Sequence, residues 1–478
     1  MHSGIGVVFS CMCSIKKSRP NVILINCDDL GYGDLGCYGS TVNRTPHIDA
    51  LARGGLRLTD FYMASPVCSA SRAAMMTGCY PPRIGFGEKP VLFPGESLGL
   101  NPKEKTIASY LKDAGYATKI VGKWHCGDQE AFLPTSHGFD EYFGIPYSND
   151  MGRQANRPDS PPLPLLRNKT VMQQQPDQRG LTERYVDECM QFIDANQEQP
   201  FFLYLALTAP HTPTSPGKAW QGKSKLGVYG DFVMEVDSAV ARVMGALKKQ
   251  GLYENTLVLF ASDHGPASYA GNILKATPGQ IRLLEKKGHY SSGPHRGYKF
   301  SVYDGGLHVP LIAHWPKGMK TEPGSITRQP GHLIDFMATF IDVAGVKYPR
   351  QIGDRKIDPL MGKSLLPILE GNEREPHENL YFHFGTDRAL RQGPWKLVSA
   401  KLGRWELYNL GEDRTETQDL AAKNPKRVEA MAKEWFRLAK DVDRLKGRHL
   451  NPVKDKLAKL NFRKDTSRGR AQKYNNKN

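Results

Sequence analysis

The sequence predicts an α/β fold, a sandwich of sheet and helices, with a smaller C-terminal α+β subdomain. Three observations predict it. Short apolar, β-branched runs alternate with stretches of helical periodicity up to about residue 375, and several runs end in charged or histidine-bearing motifs. Beyond that point the pattern changes to closely spaced strand-like runs joined by turns, then one long helical stretch. At 478 residues the chain is too long for one ordinary core, so a large domain with an appendage is expected.

Taken in order, Asn21-Val22-Ile23-Leu24-Ile25-Asn26 is a buried strand bounded by Pro20. It delivers Cys27-Asp28-Asp29 to its C-terminal end, where open parallel sheets bind ligands. Gly31 to Asp34 is a turn, and Thr45 caps a helix whose first position is Pro46. The stretch Ser65-Pro66-Val67-Cys68-Ser69-Ala70-Ser71-Arg72 runs into the first turns of a helix. A nucleophile at Cys68 would there meet free N–H groups and a partial positive charge, which suits an anionic substrate. Thr106 to Ala114 is an amphipathic helix, and Ala117 to Val121 a strand carrying Gly122-Lys123-Trp124-His125 at its end. Residues 150–180, rich in Pro, Gln, Asn and Arg, read as a surface loop or lid. Thr182 to Ala195 is helical, Phe201 to Leu207 is a strand leading into Ala209-Pro210-His211-Thr212-Pro213, and Asp231 to Gln250 is helical. Thr256 to Ser262 is a strand ending in Asp263-His264-Gly265. Three antiparallel strands follow at Leu380–Phe384, Trp395–Val398 and Trp405–Tyr408, then a helix from about Pro425 to Leu445. The last stretch, from Asn451, carries nine Lys/Arg against two Asp and reads as a solvated tail, with a polyanion-attracting arm as the alternative. The expected organisation is an N-terminal segment 1–20, a main domain 21–374, a subdomain 375–446 and a basic tail 447–478.

The net charge of +16 favours acidic partners, and the absence of any nucleic-acid module turns that toward an anionic small molecule or polysaccharide. No apolar run approaches the roughly 20 residues of a membrane span. The eight cysteines lack the paired spacing of a zinc site and suggest no dense disulfide framework. In residues 1–20 the basic cluster follows the apolar patch instead of preceding it, so an export signal there is degenerate, with a lipid-accepting Cys11 as one form of it.

Four strand ends offer charged residues: Asp28-Asp29, Lys123 with His125, His211, and Asp263-His264. Adjacent carboxylates at a buried strand end repel unless a cation lies between them. With Asp263 on a second strand end, three carboxylates favour a hard cation held through oxygen, calcium or magnesium.

The segment Cys68-Ser69-Ala70-Ser71-Arg72, followed by Thr77-Gly78, resembles the Cys-x-Pro/Ala-Ser-Arg signature of the type I, formylglycine-dependent sulfatases. Further motifs of that family follow in order: Gly122 to His125, His137-Gly138-Phe139-Asp140, Gly144 to Ser148, Ala209 to Pro213, Ser262 to Gly265 and Arg296 to Pro310. The resemblance covers about Pro20 to Leu420 and implies an arylsulfatase-like enzyme with an alkaline-phosphatase-like α/β/α fold. It implies that Cys68 is converted to formylglycine by a formylglycine-generating enzyme, and that the hydrate is the nucleophile. It places Asp28, Asp29, Cys68, Asp263 and His264 around one divalent metal, calcium first. Arg72 would hold the hydrate, Lys123 and Lys299 the sulfate oxygens, and Ser148 would bond the hydrate. His211 would protonate the leaving alcohol, and His125 would take the proton from the second hydroxyl. Two departures stand out: Phe300 replaces a small residue after Lys299, and Asp304 replaces a glutamate before Gly305-Gly306. His264 stands where many arylsulfatases have Asn, which opens the metal to manganese or zinc.

Three functions are carried forward. The first is hydrolysis of an aryl sulfate or sulfated carbohydrate, in a periplasmic or extracellular setting that the family favours. The others are a phosphonate or phosphate ester hydrolase of the same fold, and an inactive protein that binds sulfated glycans. The segment from Ala267 to Arg296, with Lys275, Arg282, Lys286, Lys287, His289, His295 and Arg296, is expected to line the cleft mouth. Substrate identity and oligomeric state are not readable from the residues.

Overall fold

The buried, β-branched strand predicted from residue 21 is the centre of the molecule, and every neighbour is placed by what it hides. The structure, a computed structural model, describes residues 19–443 apart from 88, 155–157, 271–279 and the side chain of Arg355. The readings of the N-terminal segment, Cys11, Lys275, the last two residues of the final helix and the basic tail lie outside the described residues.

The strands of the main sheet are β1 (Asn21–Asp28), β2 (Leu56–Leu58), β3 (Ala117–Lys123), β4 (Glu141–Ile145), β5 (Pro164–Arg167), β6 (Thr170–Gln174), β7 (Phe201–Pro210), β8 (Thr256–Ser262), β9 (Leu311–His314) and β10 (Ser325–Thr327). They form one ten-stranded sheet in the order β10-β2-β9-β8-β1-β7-β3-β4-β5-β6. The central five, β8-β1-β7-β3-β4, are parallel, with Ile25 opposite Leu205 on one side and Phe260 on the other. Both faces are covered, which is why the central strands read as continuous apolar runs.

Side chains of β1 alternate between two cores. Val22 and Leu24 face α2 (Cys68–Thr77), α3 (Ile107–Asp113) and α6 (Asp335–Val343); Ile23, Ile25 and Cys27 face α1 (Pro46–Gly54), α4 (Leu181–Ala195) and α5 (Val228–Lys249). That is the α/β/α sandwich expected. Because the five central strands are parallel, their C-terminal ends gather Asp28, Lys123, Ile145, Pro210 and Ser262 at one edge.

Residues 150–180 are not only a loop. They contain β5 and β6, which extend the sheet edge by an antiparallel hairpin, with Leu163 and Leu165 fully buried. The short strands β2, β9 and β10 close the opposite edge, where β9 runs antiparallel to both β8 and β2.

The C-terminal unit is a four-stranded antiparallel sheet, β11 (Leu380–Phe384), β12 (Asp387–Gln392), β13 (Trp395–Ser399) and β14 (Glu406–Asn409), with α7 (Pro425–Val442) across one face. Leu390, Leu397 and Leu407 pack there against Met431, Trp435 and Ala439. The other face packs Leu380, Phe382 and Val398 against Tyr62, Val302 and Leu307 of the main domain. β12 is the strand of this sheet that the sequence pattern did not give. Among the described residues, no helix is long and apolar enough to cross a membrane.

Candidate active site

The polar residues at the parallel edge converge on Cys68. Val67 is extended, and α2 begins with Cys68 itself, so the thiol sits on the first turn of a ten-residue helix. Its Sγ is 3.7 Å from Asp28 Oδ1 and 3.2 Å from His264 Nε2. One turn on, Arg72 donates through Nε to Asp263 Oδ2 at 2.9 Å and through Nη1 to the Lys123 carbonyl at 2.8 Å. Its Nη2 lies 3.6 Å from Asp28 Oδ2, so this one guanidinium ties the ends of β1, β3 and β8 together.

Two lysines face the carboxylates. Lys123 Nζ pairs with Asp28 Oδ2 and donates to Ser148 Oγ at 3.0 Å, while Lys299 Nζ is 2.7 Å from Asp29 Oδ1. All of these side chains are buried, Lys299 being the most accessible at 8%. The cations offset three carboxylates that would otherwise repel in a dry pocket. Burial opposes the Cys68 thiolate, but Lys123, Lys299 and His264 outweigh it and hold the thiol well below its ordinary range.

The two candidate proton carriers are pushed in opposite directions. Burial lowers His125, assisted by Lys123. Its Nε2 is 3.0 Å from the Leu92 carbonyl, and its Nδ1 has no hydrogen-bond partner and stands beside Cys68. A donor at Nε2 leaves a free lone pair at Nδ1, the tautomer a base needs. Burial also opposes charge on His211, but Asp29, 3.5 Å from Nε2, outweighs it and lifts the imidazole to about 9. Separation of two titratable groups in this way is how acid and base roles are assigned within one site.

Asp28, Cys68, Asp263 and His264 each offer a ligand atom within 4.8 Å of the others, and so do Asp28, Asp29 and His211. Asp29 Oδ2 is buried without a hydrogen-bond partner, and Asp29 itself is held at a left-handed φ of 65°. An oxygen-rich donor set with an unsatisfied buried carboxylate fits a hard divalent cation. His125 (φ 61°) and Phe300 (φ 69°) share the left-handed strain, which concentrates at functional sites.

Every predicted site residue is thus in one cluster, but some neighbours are not. Asp304 does not reach the pocket; it pairs with Lys396 and accepts from Tyr62 at 2.8 Å. His289 bonds Asp34, His295 is buried beside His308, and Arg296 pairs with Glu406 at 2.9 Å, so these three do not line the mouth. Arg282, Lys286 and Lys287 are exposed on the short helix Gln280–Lys286 and the residue after it. Sequence reasoning missed Asp150, whose carboxylate feels His211, Lys123 and Lys299 and whose Oδ1 is buried without a partner. Its one signal was its place two residues after Ser148. The Leu92 carbonyl that orients His125 carried no signal at all, since any residue would supply it.

Residues 20–346 match the family model described as Sulfatase, and residues 293–442 match that described as N-sulphoglucosamine sulphohydrolase, C-terminal. The chain is 38% identical over 382 residues to arylsulfatase A of Homo sapiens, covering 76% of this chain and 70% of that protein. It resembles the solved structure of Ps i-CgsB in complex with k-i-k-neocarrahexaose, at 30% identity and a TM-score of 0.76, over 92% of this chain and 96% of that one. A second solved structure, described under metabolism of multiple glycosaminoglycans by Bacteroides thetaiotaomicron, is 26% identical with a TM-score of 0.77, covering 90% and 100%.

Proposed function

This chain belongs to the formylglycine-dependent sulfatases of the alkaline-phosphatase superfamily and is a sulfuric ester hydrolase; within that activity we propose the residue roles, metal and substrate class that follow. The observation that carries the roles is the sealed cluster around Cys68, in which carboxylates, two lysines and two oppositely shifted histidines meet at a helix N-terminus. Asp28, Asp29, Asp263, His264 and residue 68 would hold one divalent metal, calcium by the oxygen-rich donor set. Bound, the metal supplies fixed positive charge, and formylglycine at position 68 supplies as its hydrate one hydroxyl to attack sulfur and a second to release it.

The chain's own residues do the rest. Lys123 and Lys299 already reach two of the carboxylates, so an anion entering between them is met by two ammonium groups in a water-poor pocket. Arg72 fixes the first turn of α2 against three strand ends and so orients residue 68. His211, protonated at neutral pH, delivers its proton to the departing alcohol oxygen. His125, neutral and with Nδ1 free, accepts the proton at position 68 that lets sulfate leave. Maturation requires a formylglycine-generating enzyme acting on Cys68 before the pocket closes over it, since Cys68 is 3% exposed once folded.

The substrate class we propose is a sulfated carbohydrate. The +16 charge supports it, as do relatives described with glycosaminoglycans and a neocarrahexaose. Polymers of that kind do not enter cells, so the reading includes action outside the cytoplasm. The test is direct. Protein made with the maturing enzyme is digested, and the mass of the peptide carrying residue 68 distinguishes thiol from aldehyde; turnover of matched aryl sulfate and aryl phosphate follows. Aldehyde with faster sulfate turnover is expected. An unmodified thiol despite a competent maturing enzyme, or faster phosphate turnover, would overturn the reading.

A further inference from the structure

Two phenylalanine rings are left in solvent, each one residue along the chain from a group of the site. Phe300 directly follows Lys299 and is 45% exposed; Phe93 directly follows Leu92, whose carbonyl holds His125, and is 55% exposed. Among the described residues the other exposed large hydrophobic side chains are all aliphatic, so the two exposed phenylalanines are both one residue from a group that touches the site.

Phe300 is unfavourable twice over as a folding choice. Its φ of 69° belongs to the left-handed region that glycine adopts freely and that a bulky residue resists. Its ring also faces water. Yet the position is firmly held. The Phe300 N–H donates to the Pro66 carbonyl at 3.0 Å, two residues before Cys68, and the Lys299 N–H donates to Pro266 at 3.0 Å. The ring is stacked against Tyr269 (centroids 6.3 Å apart, 23° between planes) and leans on Phe384 (6.2 Å), the last residue of β11. Lys299 Nζ lies 5.9 Å from the Phe300 ring centre and 6.0 Å from that of Tyr269. A partly exposed aromatic ring is thereby fixed beside the ammonium proposed to bind sulfate.

We propose that Phe300, backed by Tyr269 and Phe384, is a stacking platform for a pyranose ring of the substrate. The inference rests on the sulfatase reading and names what its substrate pocket recognises beyond the sulfate. A sugar fits this chemistry because its axial C–H face packs on an aromatic ring while its hydroxyls stay among polar groups. The surroundings supply a polar partner in Lys299, whose Nζ stands beside the ring. A wholly apolar substrate would need apolar walls on several sides, whereas the exposed surface here is one ring. The strain at Phe300, shared with Asp29 and His125 of the site, is consistent with a functional position.

The test is a binding measurement in a Cys68→Ala background, which needs no maturation and no turnover, so failure of the platform is read separately from failure of the sulfatase activity. The probes are inorganic sulfate, 4-nitrophenyl sulfate, and sulfated hexasaccharides prepared from carrageenan and from chondroitin sulfate, titrated by calorimetry. Phe300→Gly is expected to weaken a bound hexasaccharide by about tenfold, as loss of one stacked ring does. It should leave inorganic sulfate within about twofold, and Phe300→Trp should restore the sugar affinity. The comparison with inorganic sulfate separates this from a packing role, because a pocket disturbed by lost packing would weaken both probes. Three results would overturn the proposal. They are equal losses for sulfate and hexasaccharide, a loss confined to 4-nitrophenyl sulfate, or no hexasaccharide bound more tightly than inorganic sulfate by the protein that keeps Phe300.

Discussion

Replacing His211 by glutamine should harm the enzyme in proportion to how badly the departing alcohol needs a proton. His211 is buried; its Nδ1 lies 2.5 Å from the Thr212 carbonyl and its Nε2 faces Asp29 at 3.5 Å. With Asp29 lifting it to about 9, the imidazole holds its proton at neutral pH and loses it as pH rises through about 9. A positioned general acid contributes about 10²–10⁴ in rate, or roughly 3–5 kcal/mol of barrier. That help is wasted on 4-nitrophenol, which leaves as a stable anion, and is needed in full by a sugar hydroxyl. His211→Gln is therefore expected to lower kcat on a sulfated sugar by about 10²–10⁴ and on 4-nitrophenyl sulfate by less than about tenfold. The pH profile supplies a second check. Because the proton must be present, wild-type kcat on the sugar falls as pH rises through about 9, and the glutamine variant lacks that limb. Steady-state kinetics on both substrates from pH 6 to 10 decides it. Equal losses on the two, or an alkaline limb that persists in the variant, would refute the assignment of His211 as the acid.

Lys396→Met should cost about 3–5 kcal/mol, because the ammonium is buried between Asp304 and Glu416, the latter at 2.8 Å, and its loss leaves two carboxylates unpaired. Urea unfolding checks it, and a loss under about 1 kcal/mol would contradict the buried-pair argument. Chelation of divalent ions should lower turnover and also the unfolding free energy, the latter by about 2.7 kcal/mol if the ion was present at a hundred times its dissociation constant, with calcium restoring both. His332 is buried and pulled down to about 3, so it is neutral when folded but takes a proton near pH 6.5 when unfolded. Its contribution is thus fully present above pH 6.5 and lost as pH falls, about 2 kcal/mol by pH 5; His332→Gln should flatten the stability profile between pH 7 and 5 by that amount.

What was legible in the sequence was local. Residues 21–28 announce a strand by their β-branched run, and Cys68 to Arg72 announce a helix start because both catalytic candidates lie one turn apart. The candidate metal ligands and Lys123 come together because parallel strands end on one edge, so a motif at each strand end suffices to gather them. The edge hairpin β5–β6 was not legible. Its second strand is exposed throughout, and a bulge between Leu165 and Leu166 breaks the alternation that would have marked the first. The strands β2 and β9 were too short to announce themselves, and pair across about 250 residues of chain.

The segment after Lys299 shows the same limit where it matters most. Arg296 was expected at the cleft mouth, and Asp304 in the family motif that follows Lys299. Their partners come from the C-terminal sheet: Glu406 for Arg296, and Lys396 for Asp304, while Glu416 accepts from the Asp304 N–H at 2.7 Å. Val302 and Leu307 pack on the same sheet. Lys299 is therefore held in the pocket by a segment whose charges and apolar side chains are satisfied by the other unit. A buried charge stripped of its partner costs several kcal/mol, so the C-terminal sheet supports the lysine proposed to bind sulfate as well as being an appendage. The pocket needs residues on both sides of the expected boundary near 375. Local motifs name the groups that do chemistry, and the distant contacts, which the sequence does not display, decide where those groups stand.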